Sequence, residues 1–114
     1  MVIKEKESQI QKSILDYLRL KRIFCFKMNT TGIFRKDTGS YIPSQNVGAP
    51  DILAFIPAGK ITPDNASYCR AYALEVKRPK NTQSLSQIEW QKKFEDAGGI
   101  YLIVRSIDDI MNVL

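Results

Sequence analysis

The hydrophobic positions of the chain recur with two different periods, which separate predicted helices from predicted strands. Between residues 3 and 20 they follow a spacing of about 100° per residue, which predicts an amphipathic helix. Its apolar stripe is formed by Ile3, Ile10, Ile14, Tyr17 and Leu18. Short runs rich in β-branched and aromatic residues predict strands at 22–28, 51–57, 68–78 and 100–104. The last run is unbroken and predicts a fully buried strand.

Turn-forming residues separate these elements. Residues 29–48 form a long polar connection containing Gly32, Gly39, Pro43 and Gly48. Within it, 33–35 and 40–42 are predicted to pair loosely around 36–39. Residues 58–67 predict a hairpin-type connection between the second and third strands, and Pro79 ends the third strand.

Two further helices are predicted from their terminal residues. Ser86 and Glu89 have the spacing of a capping box, so the second helix begins at Ser86, runs to Ala97 and stops at the glycine pair 98–99. Its inward stripe is formed by Gln87, Trp90, Phe94 and Ala97. Ser106 caps a final helix that extends to the last residue.

The element order predicts an α/β fold. Helix, three strands, helix, strand and helix (α-β-β-β-α-β-α) give a mixed central sheet of about four strands flanked by helices. The 114 residues suit one domain, residues 1–114. No apolar run reaches the roughly 18 residues of a membrane helix, and the N-terminus lacks a signal-peptide core. We therefore expect a cytoplasmic protein with no membrane partner.

Composition narrows the chemistry. Lysine and arginine exceed aspartate and glutamate by 17 − 12 = +5, which favours an anionic partner, although a merely basic surface explains the charge equally well. Cys25 and Cys69 lie among strand-like neighbours and are predicted to be buried free thiols. The chain has no histidine. Imidazole-based hydrolases and histidine-ligated zinc enzymes are thereby excluded, so hydrolysis would depend on carboxylates, lysine and metal.

The candidate site lies where apolar strands meet charge. Glu75 and Lys77 are two residues apart at the end of the third strand and therefore share a face. Asp51 stands at the start of the second strand. Converging carboxylates repel each other and have raised pKa values unless a cation lies between them. Asp51, Glu75 and the backbone carbonyl of Val76 could hold Mg²⁺ or Mn²⁺, with Lys77 orienting or helping to deprotonate a water and stabilising the phosphorane.

Other candidates have simpler explanations when considered alone. Glu7 falls within the apolar stripe of the first helix, but acids in a first turn are common. Gln87 could be an ordinary residue of a helix start. Basic and aromatic residues offer a surface that could bind phosphates and bases. The alternative is that they are ordinary solvent-exposed residues with no binding role. The predicted nucleic-acid contacts are Lys27, Arg35, Lys36, Tyr41, Arg78 and Lys80.

Several motifs carry a family resemblance. Pro50-Asp51 followed by Glu75-Val76-Lys77 resembles the signature of the PD-(D/E)XK nuclease superfamily. Four segments of the chain together resemble the virus-type replication-repair nuclease (VRR-NUC) domain. They are Glu7-Ser8-Gln9-Ile10-Gln11, Gly48-Ala49-Pro50-Asp51-Ile52, Leu74-Glu75-Val76-Lys77, and Leu85-Ser86-Gln87 before Trp90. These motifs span nearly the whole chain and keep the family's order and spacing.

The resemblance implies a function and a set of site residues. It implies Mg²⁺- or Mn²⁺-dependent cleavage of phosphodiester bonds, with Asp51 and Glu75 as ligands and Lys77 as the catalytic lysine. It also implies Glu7 as the acid of the first helix, a possible ligand directly or through water, and Gln87 as the glutamine bordering the site. Small bacterial and phage members of the family resemble homodimeric nucleases that cut branched DNA such as four-way (Holliday) junctions.

Two alternatives stay open at this point. The chain could be a non-catalytic module that binds nucleic acid or a replication protein, with its charged strand ends forming salt bridges. It could also be a restriction-type nuclease that acts on a particular duplex sequence. The second alternative ranks lower because the chain has little room for an element that reads bases.

Overall fold

The computed structural model describes residues 6–28, 33–42, 47–61 and 66–114, and for residues 33, 34, 41, 42 and 61 it describes the backbone only. Predicted positions such as Ile3, Gly32 and Pro43 lie outside the described residues. The elements in chain order are α1 (Glu7–Leu20), β1 (Phe24–Lys27), β2 (Ile33–Arg35), β3 (Ser40–Ile42), β4 (Ile52–Ile61), β5 (Ala66–Val76), α2 (Leu85–Asp96), β6 (Ile100–Val104) and α3 (Ile107–Met111).

The central sheet has four strands in the order β1-β4-β5-β6. Its first two pairings, β1 with β4 and β4 with β5, are antiparallel, whereas β5 and β6 are parallel and are joined through α2. A parallel pair needs such a crossover connection. The predicted α/β class and the four-stranded mixed sheet are therefore confirmed. The short strands β2 and β3 pair with each other in a separate sheet, as the sequence predicted.

One face of the sheet carries the main core. On α1, Ile10, Ile14 and Leu18 are buried as predicted, and they pack with apolar residues of the sheet and α3. Full burial of one such side chain contributes about 1.5–3 kcal/mol. The partners are Ile52, Ala54, Leu74, Val76, Val104 and Ile110. Hydrophobic burial on this face therefore fixes β4 and β5 side by side.

Helix α2 covers part of the other face and is packed less tightly. Trp90 stacks on Phe94 with 5.0 Å between ring centroids. None of the helix residues, all of which are described, is fully buried, and Ala97 is exposed rather than inward-facing. The prediction for Ala97 is wrong because α2 ends at Asp96 and Ala97 is its C-cap. Gly98 follows with φ +100°, which confirms the glycine terminator.

The start of α2 differs from the prediction. Its N-cap is Ser84, whose hydroxyl accepts a hydrogen bond from the backbone N–H of Gln87 (3.3 Å), while Gln87 Oε1 accepts one from the backbone N–H of Ser84 (2.9 Å). The predicted capping box of Ser86 and Glu89 is therefore wrong. A serine two residues earlier finds its reciprocal partner in a glutamine, a pair that serves as well as serine and glutamate.

Several strand boundaries also differ. β4 continues through Pro57 to Ile61, and β5 begins at Ala66, so the predicted connection 58–67 is too long. The pairing shifts register between Pro57 and Gly59. At its other end β5 stops at Val76, so Lys77 follows the strand directly.

Two burial predictions are wrong for related reasons. β6 is an edge strand, and Ile103 is 37% exposed, so the strand is not fully buried. Cys69 is exposed because it lies in the first part of β5, whose initial residues are all exposed, whereas Cys25 is half-buried. Both cysteines are free. In the described ranges no helix is long and apolar enough to cross a membrane.

Candidate active site

The register of β4 and β5 brings the two predicted carboxylates together. Ile52 pairs with Leu74 and Leu53 with Ala73. Asp51 directly precedes β4, so continuing the register by one position places it opposite Glu75. Residues opposite each other on paired strands project to the same face. Glu75 is only 3% exposed, although it stands near the end of its strand.

Asp51 is anchored on both sides. Its Oδ2 accepts a hydrogen bond from the backbone N–H of Val76 (2.7 Å), and its backbone carbonyl accepts one from Met28 N–H (2.8 Å). Three residues earlier, Gly48 has φ +84°, and a Cβ there would lie 2.3 Å from the carbonyl oxygen of Ser86. Only glycine therefore lets the segment leading to Asp51 approach the first turn of α2.

Glu75 has one satisfied oxygen and one unsatisfied oxygen. Gln87 Nε2 donates a hydrogen bond to Oε1 (2.9 Å), and Lys77 Nζ lies 3.7 Å from the same oxygen. The Lys77 side chain is 15% exposed, so this contact is largely shielded from water. Oε2 is buried and makes no hydrogen bond of standard geometry to any residue the structure describes. The capping glutamine of α2 thus also orients the buried carboxylate.

The two carboxyl groups disfavour a second negative charge. Burial, followed by the charge of Asp51, raises the pKa of Glu75 to about 7, against the opposing effect of Lys77. Burial also raises the pKa of Asp51, and Glu7 adds to the shift, while the Val76 N–H opposes it. Near neutral pH the pair therefore retains about one proton or requires a compensating cation.

Glu7 borders this pair from α1. Its Oε1 accepts a hydrogen bond from the backbone N–H of Arg78 at 3.4 Å, and its charge contributes to the raised pKa of both Asp51 and Glu75. Among the described residues, no group of three or more His, Cys, Asp or Glu side chains is arranged to hold a metal ion. Glu7 is therefore a charged neighbour of the pair in this conformation and does not complete a three-acid cluster.

The donor set suits a hard divalent cation. Glu75 offers a buried oxygen without a hydrogen bond among the described residues, and Asp51 adds a second carboxylate. Oxygen ligands of this kind are those that Mg²⁺ and Mn²⁺ prefer, and a cation would offset the burial and the neighbouring negative charges that raise both pKa values. Asp51 and Glu75 are therefore the residues that fit such an ion, and the role of the Val76 carbonyl stays a prediction.

The predicted nucleic-acid contacts divide into two groups. Lys27 is exposed and pairs with Ile52, next to Asp51, while Arg78 and Lys80 are exposed in the loop that follows Lys77. Arg78 and Lys80 lie close to Lys77 in the chain, whereas Lys27 shares the face of Ile52, which is the α1 side of the sheet and not the side of Asp51 and Glu75. Arg35 and Lys36 belong instead to the separate β2–β3 hairpin, where Arg35 pairs with Asp37 at 3.1 Å. The side chain of Tyr41 lies outside the described part of the chain.

The loop carrying Arg78 and Lys80 is held by a residue that the sequence did not single out. Arg105 Nη1 donates hydrogen bonds to the carbonyl oxygens of Arg78 (2.7 Å) and Asn81 (3.0 Å). Lys80 adopts φ +74°, a conformation costly for a residue with a side chain. An arginine directly after the predicted last strand was the available signal. It gave no indication of the loop that the arginine contacts.

Tyr101 is a second residue that the sequence did not single out. It is 7% exposed, and burial, then the charge of Glu75, raises its pKa to about 12. Its hydroxyl lies beside Glu75 and Gln83, yet it makes no hydrogen bond of standard geometry to a described residue. The signal was a polar hydroxyl inside an apolar strand, which becomes informative only when the strand order is known.

Comparison with known protein families, curated proteins and solved structures finds no match to this chain.

Proposed function

We propose that this chain is a metal-dependent endonuclease that hydrolyses phosphodiester bonds in DNA. One observation carries the proposal: Asp51 and Glu75 are held on one face with raised pKa values, and Lys77 lies 3.7 Å from Glu75. Buried acids whose pKa values are raised by burial and by neighbouring charges are typical of functional sites. A purely structural ion pair would need only one of these carboxylates.

The chain's own residues have distinct tasks in this reaction. A bound Mg²⁺ or Mn²⁺ would supply Lewis-acid activation of the phosphate and of a water. Asp51 and Glu75 hold that ion, and the Val76 N–H and Gln87 amide fix their orientation. The ammonium group of Lys77 orients the water and stabilises charge that develops on the phosphate oxygens in the transition state.

The substrate side of the proposal is branched DNA, cut by a homodimer. It rests on the motifs that resemble the VRR-NUC domain and on the PD-(D/E)XK core that they imply. Exposed Arg78 and Lys80, which follow Lys77 in the chain, support contacts to phosphates. A two-fold symmetric dimer would present two sites to the two symmetry-related strands of a four-way junction.

The test is cleavage of a labelled four-way junction and of a linear duplex with Mg²⁺, with Mn²⁺ and with EDTA. We expect metal-dependent cleavage that Asp51→Asn abolishes and that Lys77→Ala lowers by about 10²- to 10³-fold, since Lys77 acts on transition-state charge. Lys60→Ala is the matched control, because Lys60 is an exposed lysine in the distal half of β4. It should cleave like the unchanged protein.

The alternatives predict different results in the same assay. Cleavage that is equal in Asp51→Asn, Lys77→Ala and the unchanged protein would overturn the proposed site. Salt-sensitive DNA binding without cleavage, and without a rise in melting temperature on adding Mn²⁺, would indicate a non-catalytic module. Cutting of a linear duplex at one defined sequence would indicate a restriction-type enzyme.

A further inference from the structure

Tyr101 lies beside the carboxylate site and has no part in the function proposed above. It pairs with Ala73 on β5, and Ala73 is two residues before Glu75 on the same face of the sheet. The tyrosine ring lies 6.3 Å from the ring of Trp90 on α2, measured between centroids. Packing between the sheet and α2 therefore holds the ring next to Glu75.

Two buried oxygen atoms in this region are complementary. Neither the Tyr101 hydroxyl nor Oε2 of Glu75 makes a hydrogen bond of standard geometry within the described residues. Leaving a buried donor or acceptor unsatisfied is costly, and more so for a charged group. A hydroxyl that donates to Oε2 would satisfy both atoms.

Gln83 indicates that the Tyr101 hydroxyl is the donor in its contact with Glu75. Its Nε2 donates one hydrogen to Oε1 of Gln91 (2.9 Å), which leaves the second hydrogen for another acceptor. Burial is the main cause of the raised pKa of Tyr101. Of the smaller contributions from hydrogen bonding, Gln83 lowers this pKa and Glu75 raises it. A donor to the phenol oxygen has the first effect, and an acceptor of the phenol proton has the second.

We propose that Tyr101 is a positioning residue for Glu75: its hydroxyl donates to Oε2, while the Gln83 amide donates to the phenol oxygen. The importance of this contact for catalysis rests on the proposed nuclease function. Gln87 holds Oε1 of the same carboxylate, so the two contacts together select one orientation of Glu75. Groups that orient a metal-binding side chain typically change metal affinity or activity by about 10–100-fold.

The first test compares Tyr101→Phe with Tyr72→Phe, both of which remove one hydroxyl. Tyr72 is the matched control because it lies on β5 and packs against the main core on the opposite face. We expect the Mn²⁺ concentration at the midpoint of thermal stabilisation to rise about tenfold in Tyr101→Phe and to stay unchanged in Tyr72→Phe. The turnover number of Tyr101→Phe should fall with little change in KM for DNA.

The second test needs neither metal nor activity. Melting temperatures are measured in EDTA for the unchanged protein, Tyr101→Phe, Glu75→Ala and the double variant, which together form a double-mutant cycle. A control cycle uses Tyr72→Phe in place of Tyr101→Phe. We expect the first cycle to be non-additive and the control cycle to be additive. Should Glu75→Ala fail to fold, Glu75→Met replaces it, because methionine fills more of the space and also lacks an oxygen acceptor.

The two proposals can fail separately. An additive first cycle, or an unchanged Mn²⁺ midpoint in Tyr101→Phe, overturns the role of Tyr101 and leaves the nuclease proposal standing. Lack of Mn²⁺ binding and cleavage by the unchanged protein overturns the nuclease proposal. The cycle in EDTA then decides by itself whether Tyr101 and Glu75 are hydrogen-bonded.

Discussion

Glu75 is a buried acid whose charge state should be visible in the stability of the protein. Its folded-state pKa is about 7 against an ordinary value of 4.5, so the folded protein binds the proton more tightly than the unfolded chain. This difference in proton affinity contributes to the free energy of unfolding. The contribution is fully present below about pH 4.5 and is lost as the pH rises to about 7. Asp51, which faces Glu75, shifts in the same direction.

This behaviour predicts a pH-dependent effect of Glu75→Gln in EDTA. The variant should match the unchanged protein near pH 4.5 and should be more stable at pH 8 by up to roughly 3 kcal/mol, because the buried charge is absent. Urea unfolding at both pH values measures the difference. Glu89→Gln is the control, since Glu89 is an exposed acid on α2. A difference that is equal at both pH values would contradict the prediction. The charged neighbours that shift the pKa of Glu75 are Asp51, Lys77 and Glu7, and all three are unchanged in this variant.

The residues of the site were predictable to different degrees. Glu75 and Lys77 share a face by strand periodicity alone, and Asp51 was recognisable as a carboxylate at a strand entry. Tyr101 and Arg105 were not recognisable, because their significance depends on which strands and loops are neighbours in space. The separation of Arg35 from the carboxylates has the same origin, since no local pattern fixes where a hairpin lies relative to a sheet.

At the scale of elements, α2 depends on a cap that the sequence left ambiguous. Ser84→Ala should destabilise the protein by about 1 kcal/mol, because the side-chain acceptor for the Gln87 N–H is lost. Ser86→Ala is the matched control. The Ser86 hydroxyl lies 3.1 Å from that of Ser84, which accepts the Gln87 N–H, so Ser86→Ala should cost less stability than Ser84→Ala. Thermal unfolding of both variants measures the two losses of stability. A larger loss in Ser86→Ala would indicate that Ser86 is the N-cap, as predicted from the sequence.

Element types were predictable, but several boundaries were not. The apolar stripe of α1 and the strand composition of β4 and β5 are local properties, and the structure confirms these three elements. Helix α1 nevertheless begins at Glu7 rather than Ile3, and α3 ends at Met111 rather than Leu114.

The predicted connection 58–67 rested on turn-forming residues such as Gly59. Strand β4 nevertheless continues to Ile61 by pairing with β5, with a register shift between Pro57 and Gly59. Long-range pairing with β5 therefore overrides the local signal.

At the scale of the whole molecule, the two faces of the sheet are unequal. α1 and α3 cover one face and contribute fully buried residues such as Ile14, Leu18 and Ile110. On the other face, α2 contributes partly exposed side chains, and its Leu85 is 80% exposed. The sequence predicted the helices, but it could not predict this asymmetry because burial depends on how closely each helix approaches the sheet.

Helix α2 is loosely packed, and it carries Gln87, which donates a hydrogen bond to the buried carboxylate of Glu75. Local unfolding of α2 therefore breaks up the site. Amide hydrogen exchange should be faster in α2 than in α1, since little apolar surface opposes opening of α2. Each opening withdraws Gln87 from Glu75. Mn²⁺ should slow exchange in α2 more than in α1, because an ion that binds only the assembled carboxylates favours the closed helix. Exchange measured by mass spectrometry would show this, and equal protection of both helices would contradict it. Binding of the metal ion would then favour the folded, docked state of α2, and loss of the ion would allow the helix to open.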